Sequence, residues 1–171
     1  KFKHYDQRLI FEGYNEVDNL KASFQFGQEA AEQMNRLNQI FVDAVRATGS
    51  NNANRVLVCP TTVHMSAPIA VAAWTYPTDT VENHIALAVH NYSGAFVQDL
   101  SVDFEKIEKY SVQYNVPIMI TEWGTTSNAG DYDFRARHAQ NYIARAKYHH
   151  LFPIWWDNGS DYELVKKYTE Q

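Results

Sequence analysis

Five short apolar runs, at residues 9–11, 56–59, 85–89, 118–120 and 152–156, are separated by stretches with helical periodicity. Apolar strands that alternate with helices pair in parallel, because each helical crossover returns the chain to the same end of the sheet. The chain is therefore expected to be an α/β protein. The clearest helical pattern places Ala30, Met34, Leu37, Phe41, Ala44 and Val45 at three- and four-residue spacing, with Gly49 as its C-terminal cap. A second helix is expected from Ser101, with Asp103 in its first turn and Phe104, Ile107 and Tyr114 on one face. A third runs from about 133 to 149, with Phe134, Ala139, Tyr142, Ile143 and Ala146 inward. Residues 61–77 are open between a short helix and irregular loop. The repeat is that of a (β/α)8 barrel, yet such barrels use about 250 residues and eight strands. At 171 residues, the expectation is a partial barrel forming a single domain, with strands missing.

Composition narrows the function. Fifteen basic against 20 acidic residues give a net charge of −5, and no run of Lys or Arg could track a phosphate backbone. This argues against a nucleic-acid partner. No stretch approaches the roughly 18 to 20 apolar residues of a membrane span. The 11 Tyr, 9 Phe and 4 Trp instead suit a cleft that stacks on sugar faces. Cys59 has no second cysteine to pair with, and its place in an apolar run suits a buried thiol.

Function in parallel α/β folds collects at the carboxyl ends of the strands. Here the strands end in Asn15-Glu16, His90-Asn91-Tyr92, Thr121-Glu122-Trp123-Gly124 and Trp155-Trp156-Asp157-Asn158-Gly159. Each ending has an ordinary alternative: Glu16 could cap a loop, His90 could be a satisfied core histidine, and the tryptophans could fill core volume. Together they point to chemistry, because two carboxylates held at one rim are costly without a purpose. Paired carboxylates suit glycoside cleavage, one as acid/base and one as nucleophile. On this reading Glu16 is the acid/base and Glu122 the nucleophile. His90 and Tyr92 orient Glu122, Asn15 holds the sugar 2-hydroxyl, and Trp156 stacks beneath the sugar. A metal-dependent hydrolase is less favoured, since the seven histidines show no close metal-ligand spacing and His149-His150 are expected near solvent at a helix end. No cofactor is expected.

These residues also resemble a known family. LIFEGYNEV (9–17), VHNYSGAF (89–96), VPIMITEWG (116–124) and PIWWDNG (153–159) are similar to the fourth-, sixth-, seventh- and eighth-strand motifs of family 5 glycoside hydrolases of the cellulase type. NRVLVCPTT (54–62) resembles the fifth strand. The resemblance implies a half TIM barrel equivalent to strands four to eight, and a retaining endo-β-1,4-glucanase acting on cellulose or a related β-glucan. It counts Asn158 with the substrate contacts. By the same resemblance residues 1–8 are the tail of a barrel helix and 161–171 a shortened last helix. The family's arginine and histidine from earlier strands have no replacement here. Val17 stands where many members have proline. Mannan, xylan and xyloglucan stay open as substrates. A non-catalytic or weakly active fragment that binds carbohydrate is the alternative. A half barrel leaves two exposed sheet edges, so either a separate N-terminal half barrel or self-association is expected. Secretion follows by analogy with enzymes of extracellular glucans.

Overall fold

The computed structural model describes residues 1–17, 28–66, 68–92, 97–125 and 132–164. Five parallel strands form one curled sheet in sequence order, the arrangement of a partial TIM barrel. They are β1 (Phe11–Glu12), β2 (Leu57–Met65), β3 (Ile85–His90), β4 (Ile118–Trp123) and β5 (Phe152–Trp155). Helices α1 (Gln28–Ala47), α2 (Pro68–Ala72), α3 (Val97–Tyr114) and α4 (Tyr132–Tyr148) lie between them, and a 3₁₀ turn spans Ser50–Asn54.

Strand alternation separates two apolar layers. Leu57, Cys59, Ile85, Leu87, Val89, Ile118 and Ile120 project to the helix side, where Val42, Leu100, Phe104, Ile107, Tyr142 and Ala146 meet them. Each fully buried aliphatic side chain contributes about 1.5–3 kcal/mol through area removed from water. The concave side carries Val58, Ala86, Ala88 and Met119. Two alanines on β3 there keep the inside of the curve narrow. Burial lifts the Cys59 thiol to about 12, so this cysteine packs as an inert small hydrophobe.

Several expectations are corrected. Helix α1 buries Ala30, Ala31, Met34, Asn38 and Val42 and packs Phe41 and Val45 against the core, so its inner face keeps most of the apolar stripe but adds a polar residue and leaves Ala44 exposed. Asn38 belongs inside because its amide donates to the Pro60 carbonyl at 2.9 Å. Gly49 does follow the end of α1 as expected, at φ 66°, a positive value that favours glycine. Helix α3 begins at Val97 rather than Ser101, so Asp103 falls beyond the first turn. Ile143 is half exposed instead of inward. Residues 61–65 extend β2, and the ambiguous segment supplies the short α2.

The first eight residues form turns, not a helix. Buried Arg55 explains how they are held: its guanidinium donates to the carbonyls of Phe2, Tyr5, Asp6 and Leu9 and covers the Phe11 ring. His149 is buried, not near solvent, because Glu108 of α3 meets its Nδ1 at 2.7 Å. Residues 161–164 are turn-like, while 93–96 and 165–171, which include the second half of VHNYSGAF and most of the expected last helix, lie outside the described residues.

Candidate active site

The segment that follows β1 is fixed on α1 before it reaches the rim. Gly13 passes so close to Phe41 that a Cβ would sit 2.9 Å from the ring. The Tyr14 hydroxyl donates to the Leu37 carbonyl at 3.0 Å. These anchors present Asn15 and Glu16 at the carboxyl end of the sheet. Glu16 adopts φ 35°, a left-handed conformation that a non-glycine residue enters at a cost.

Glu122 reaches the same rim by an irregularity. Ile120 and Trp123 both pack on the helix side although three positions apart, and the β4–β5 register shifts between them. Regular alternation would put residues of opposite parity on opposite faces, so one extra residue is accommodated and Glu122 turns inward beside Thr121. Thr121 in turn donates to Glu12 at 2.8 Å across the concave face.

The two glutamates meet at His90. Its Nδ1 lies 2.7 Å from Glu16 Oε1 and 3.5 Å from Glu122 Oε2, and one oxygen of each carboxylate and a His90 ring nitrogen all fall within 4.8 Å of one another. The Tyr92 hydroxyl donates to Glu122 Oε2 at 2.6 Å. Burial first, then the hydrogen bond to Glu122, raises the Tyr92 phenol far above its ordinary range, so it stays a donor. The surroundings of the two acids differ: the Glu16 side chain is 45% exposed and that of Glu122 18%. Tyr92 thus bonds Glu122, whereas the shorter contact of His90 is to Glu16.

Trp156 stands at the same rim, edge-on to Tyr92 at 6.1 Å between ring centroids. A third ring, Tyr162, stands 5.3 Å from both Tyr92 and Trp156 and lies against Gly124, where a Cβ would come within 2.9 Å of it. Tyr162 is not evident from the motifs; its only sequence signal is an aromatic a few residues past the tryptophan pair. Asn15 is exposed beside Glu16. Asn158 Oδ1 accepts from the Ser160 and Tyr162 amides, which builds the turn that carries Tyr162. Glu16, His90 and Glu122 are also of the right types to ligate a divalent cation, but the 2.7 Å His90–Glu16 contact is a hydrogen-bond distance.

A parallel half barrel with two carboxylates and an aromatic shelf on its carboxyl rim has the architecture of the (β/α)8-barrel glycoside hydrolases. The sequence profile of the cellulases, glycosyl hydrolase family 5, matches residues 1–162, and the chain belongs to that family. Endoglucanase A of Ruminococcus albus is 31% identical over 181 aligned residues, covering 93% of this chain and 49% of that enzyme. A broad specificity endoglucanase from Ruminococcus champanellensis, solved with bound cellotriose, superposes with a TM-score of 0.85 at 31% identity, covering 96% of this chain and 54% of that one. A Bacteroides ovatus xyloglucanase in complex with a XXXG heptasaccharide gives 0.84 at 28% identity, covering 98% and 44%. The chain thus spans about half the length of these relatives.

Proposed function

We propose that the chain hydrolyses a β-1,4-glucan by double displacement with retention. The observation that carries this reading is the approach of the Glu16 and Glu122 carboxylate oxygens within 4.8 Å, together with His90. Retaining glycosidases hold their carboxyls about 5–5.5 Å apart, whereas inverting ones need about 6.5–9.5 Å to admit a water. Glu16 protonates the leaving glycosidic oxygen while Glu122 attacks the anomeric carbon and forms a glycosyl ester. Glu16, now ionised, takes a proton from the water that cleaves the ester and releases Glu122. Tyr92 fixes the Glu122 oxygen and His90 holds the proton-bearing side of Glu16. Trp156 and Tyr162 offer ring faces to a pyranose, with Asn15 at its 2-hydroxyl and Asn158 at the shelf. The cellotriose and XXXG heptasaccharide bound by the relatives support a β-1,4-glucan as ligand, and secretion is proposed because a polymeric glucan lies outside the cell. Proton NMR of the products tests the stereochemistry: the β-anomer should appear first, and an initial α-anomer would reject retention.

The concave face bears on whether the site turns over unaided. Phe11 and Trp155 pack on the helix side, so alternation sends Glu12, Phe152 and Ile154 to the concave side. Phe152 is 60% and Ile154 40% exposed, both on β5, which is an edge of the sheet among the described residues. The proposed occupant of this face is an N-terminal half barrel, because about half of each matched relative lies beyond the aligned part. Light scattering of the isolated 19.7 kDa chain with and without that half should show a one-to-one complex. A stable monomer that ignores the half would reject this occupant, and a homodimer would point to self-association. Sugar binding without turnover by the isolated chain would favour the carbohydrate-binding reading.

A further inference from the structure

We propose that Tyr142, on the buried face of α4, is a positioning residue that fixes the geometry of the Glu16–His90–Glu122 cluster through its hydroxyl. The inference rests on the reading of those two glutamates as the reacting pair. The Tyr142 hydroxyl lies 3.0 Å from the Asn91 carbonyl oxygen and 3.1 Å from Asn91 Oδ1, so a single O–H is shared between two acceptors of one residue. Asn91 stands between His90, which meets Glu16, and Tyr92, which meets Glu122. The Asn91 amide also donates to the Glu122 carbonyl at 3.0 Å, and its side chain donates to Ser66. Rotation of the Asn91 backbone would therefore move both side chains that grip the carboxylates.

The ring of the same residue holds the other side of Glu122. Tyr142 stacks on Trp123 at 4.0 Å between centroids and 4° between planes, and Trp123 meets Trp155 edge-on at 4.8 Å. Phe104 of α3 closes the stack from behind at 5.1 Å. One fully buried side chain thus touches the residue after the histidine, the residue after the nucleophile and, through Trp155, the strand that ends in Trp156. Phenylalanine would fill the same volume. Within Tyr142 it is the hydroxyl that bonds Asn91, and a buried hydroxyl without a partner would be costly.

Tyr142→Phe in the full chain separates positioning from packing, since it keeps the ring stack. Nitrogen-15 NMR of the His90 ring and the Tyr92 side-chain resonances are read together with kcat, KM and the urea midpoint. The expected result is a change in both the His90 and Tyr92 signals, with kcat lowered about tenfold and KM held within about twofold, as small misplacements of reacting groups act on the chemical step. Unchanged His90 and Tyr92 signals alongside a lowered urea midpoint would overturn the proposal and leave Tyr142 a packing residue. The NMR readout does not need turnover. If activity survives Glu122→Gln, the hydrolase reading fails while the effect of Tyr142 on His90 can still be decided.

Discussion

Tyr92, two residues past the end of β3, and Glu122 on the neighbouring β4 are thirty residues apart and share a 2.6 Å hydrogen bond from the phenol to Oε2. The same oxygen also lies near His90 Nδ1, so under the proposed mechanism Tyr92 fixes which oxygen remains available for attack. Removing a hydrogen bond to a charged group costs about 1.5–3 kcal/mol. Tyr92→Phe is therefore expected to lower kcat on a soluble glucan by about 10- to 100-fold while the fold persists. Circular dichroism and initial rates check both halves, and an unaltered rate would remove Tyr92 from the catalytic machinery.

Far from the rim, Arg46 and Asp79 form a buried two-pronged ion pair at 2.8 and 2.7 Å, and Arg46 also donates to the carbonyls of Asn52 and Arg55. Loss of one partner strands the other charge out of water, at about 3–5 kcal/mol. Asp79→Ala should lower the urea midpoint accordingly, whereas a change under about 1 kcal/mol would mean that solvent reaches Arg46 freely.

The same pair predicts an acid limit. Burial pushes the Asp79 carboxyl up, but the Arg46 hydrogen bonds and charge outweigh it and hold the group below its ordinary value. A carboxyl depressed in the folded state stabilises fully above its unfolded pKa, about 3.9, and that contribution fades as pH falls through the folded value. Wild-type stability should therefore drop below about pH 4 more steeply than that of Asp79→Asn, as measured by urea midpoints.

His138 acts in a different window. It is buried on α4 against Phe134 and Tyr142, with no partner for either ring nitrogen among the described residues, and burial lowers its pKa. The unfolded chain takes up this proton near pH 6.5 while the folded one resists, so stability falls as pH drops from about 7 toward 5. His138→Phe should flatten this part of the stability profile. An equal slope in the variant would assign the effect to other histidines.

Strand positions were readable because buried parallel strands are apolar on both faces, as the fully buried Ile85–His90 illustrates. The rim residues followed from the strand ends. What the sequence could not convey depends on distant contacts. Asn38 enters the core only because the Pro60 carbonyl awaits it, and Arg55 is fully buried because four backbone carbonyls surround it. The bulge that turns Glu122 inward is set by β5 register, which no local pattern encodes. For the same reason His90 could be placed in the site but not assigned to Glu16.

The position of Glu16 depends on a glycine. Gly13 crosses α1 where any Cβ would lie 2.9 Å from Phe41 Cδ1 and 3.1 Å from Cγ, so a methyl group must displace either the ring or the loop. Phe41 packs against the core and has little room to retreat. Gly13→Ala should therefore cost about 1–3 kcal/mol through overpacking. Because Tyr14 is tied to α1 by its hydroxyl, the shift should pass to Asn15 and Glu16 and weaken the His90 contact. Shrinking the obstacle with Phe41→Leu should recover part of that loss, so the two substitutions should be non-additive in a double-mutant cycle read by urea midpoint and by the His90 ring signals. Strict additivity would show that the loop does not rest on Phe41.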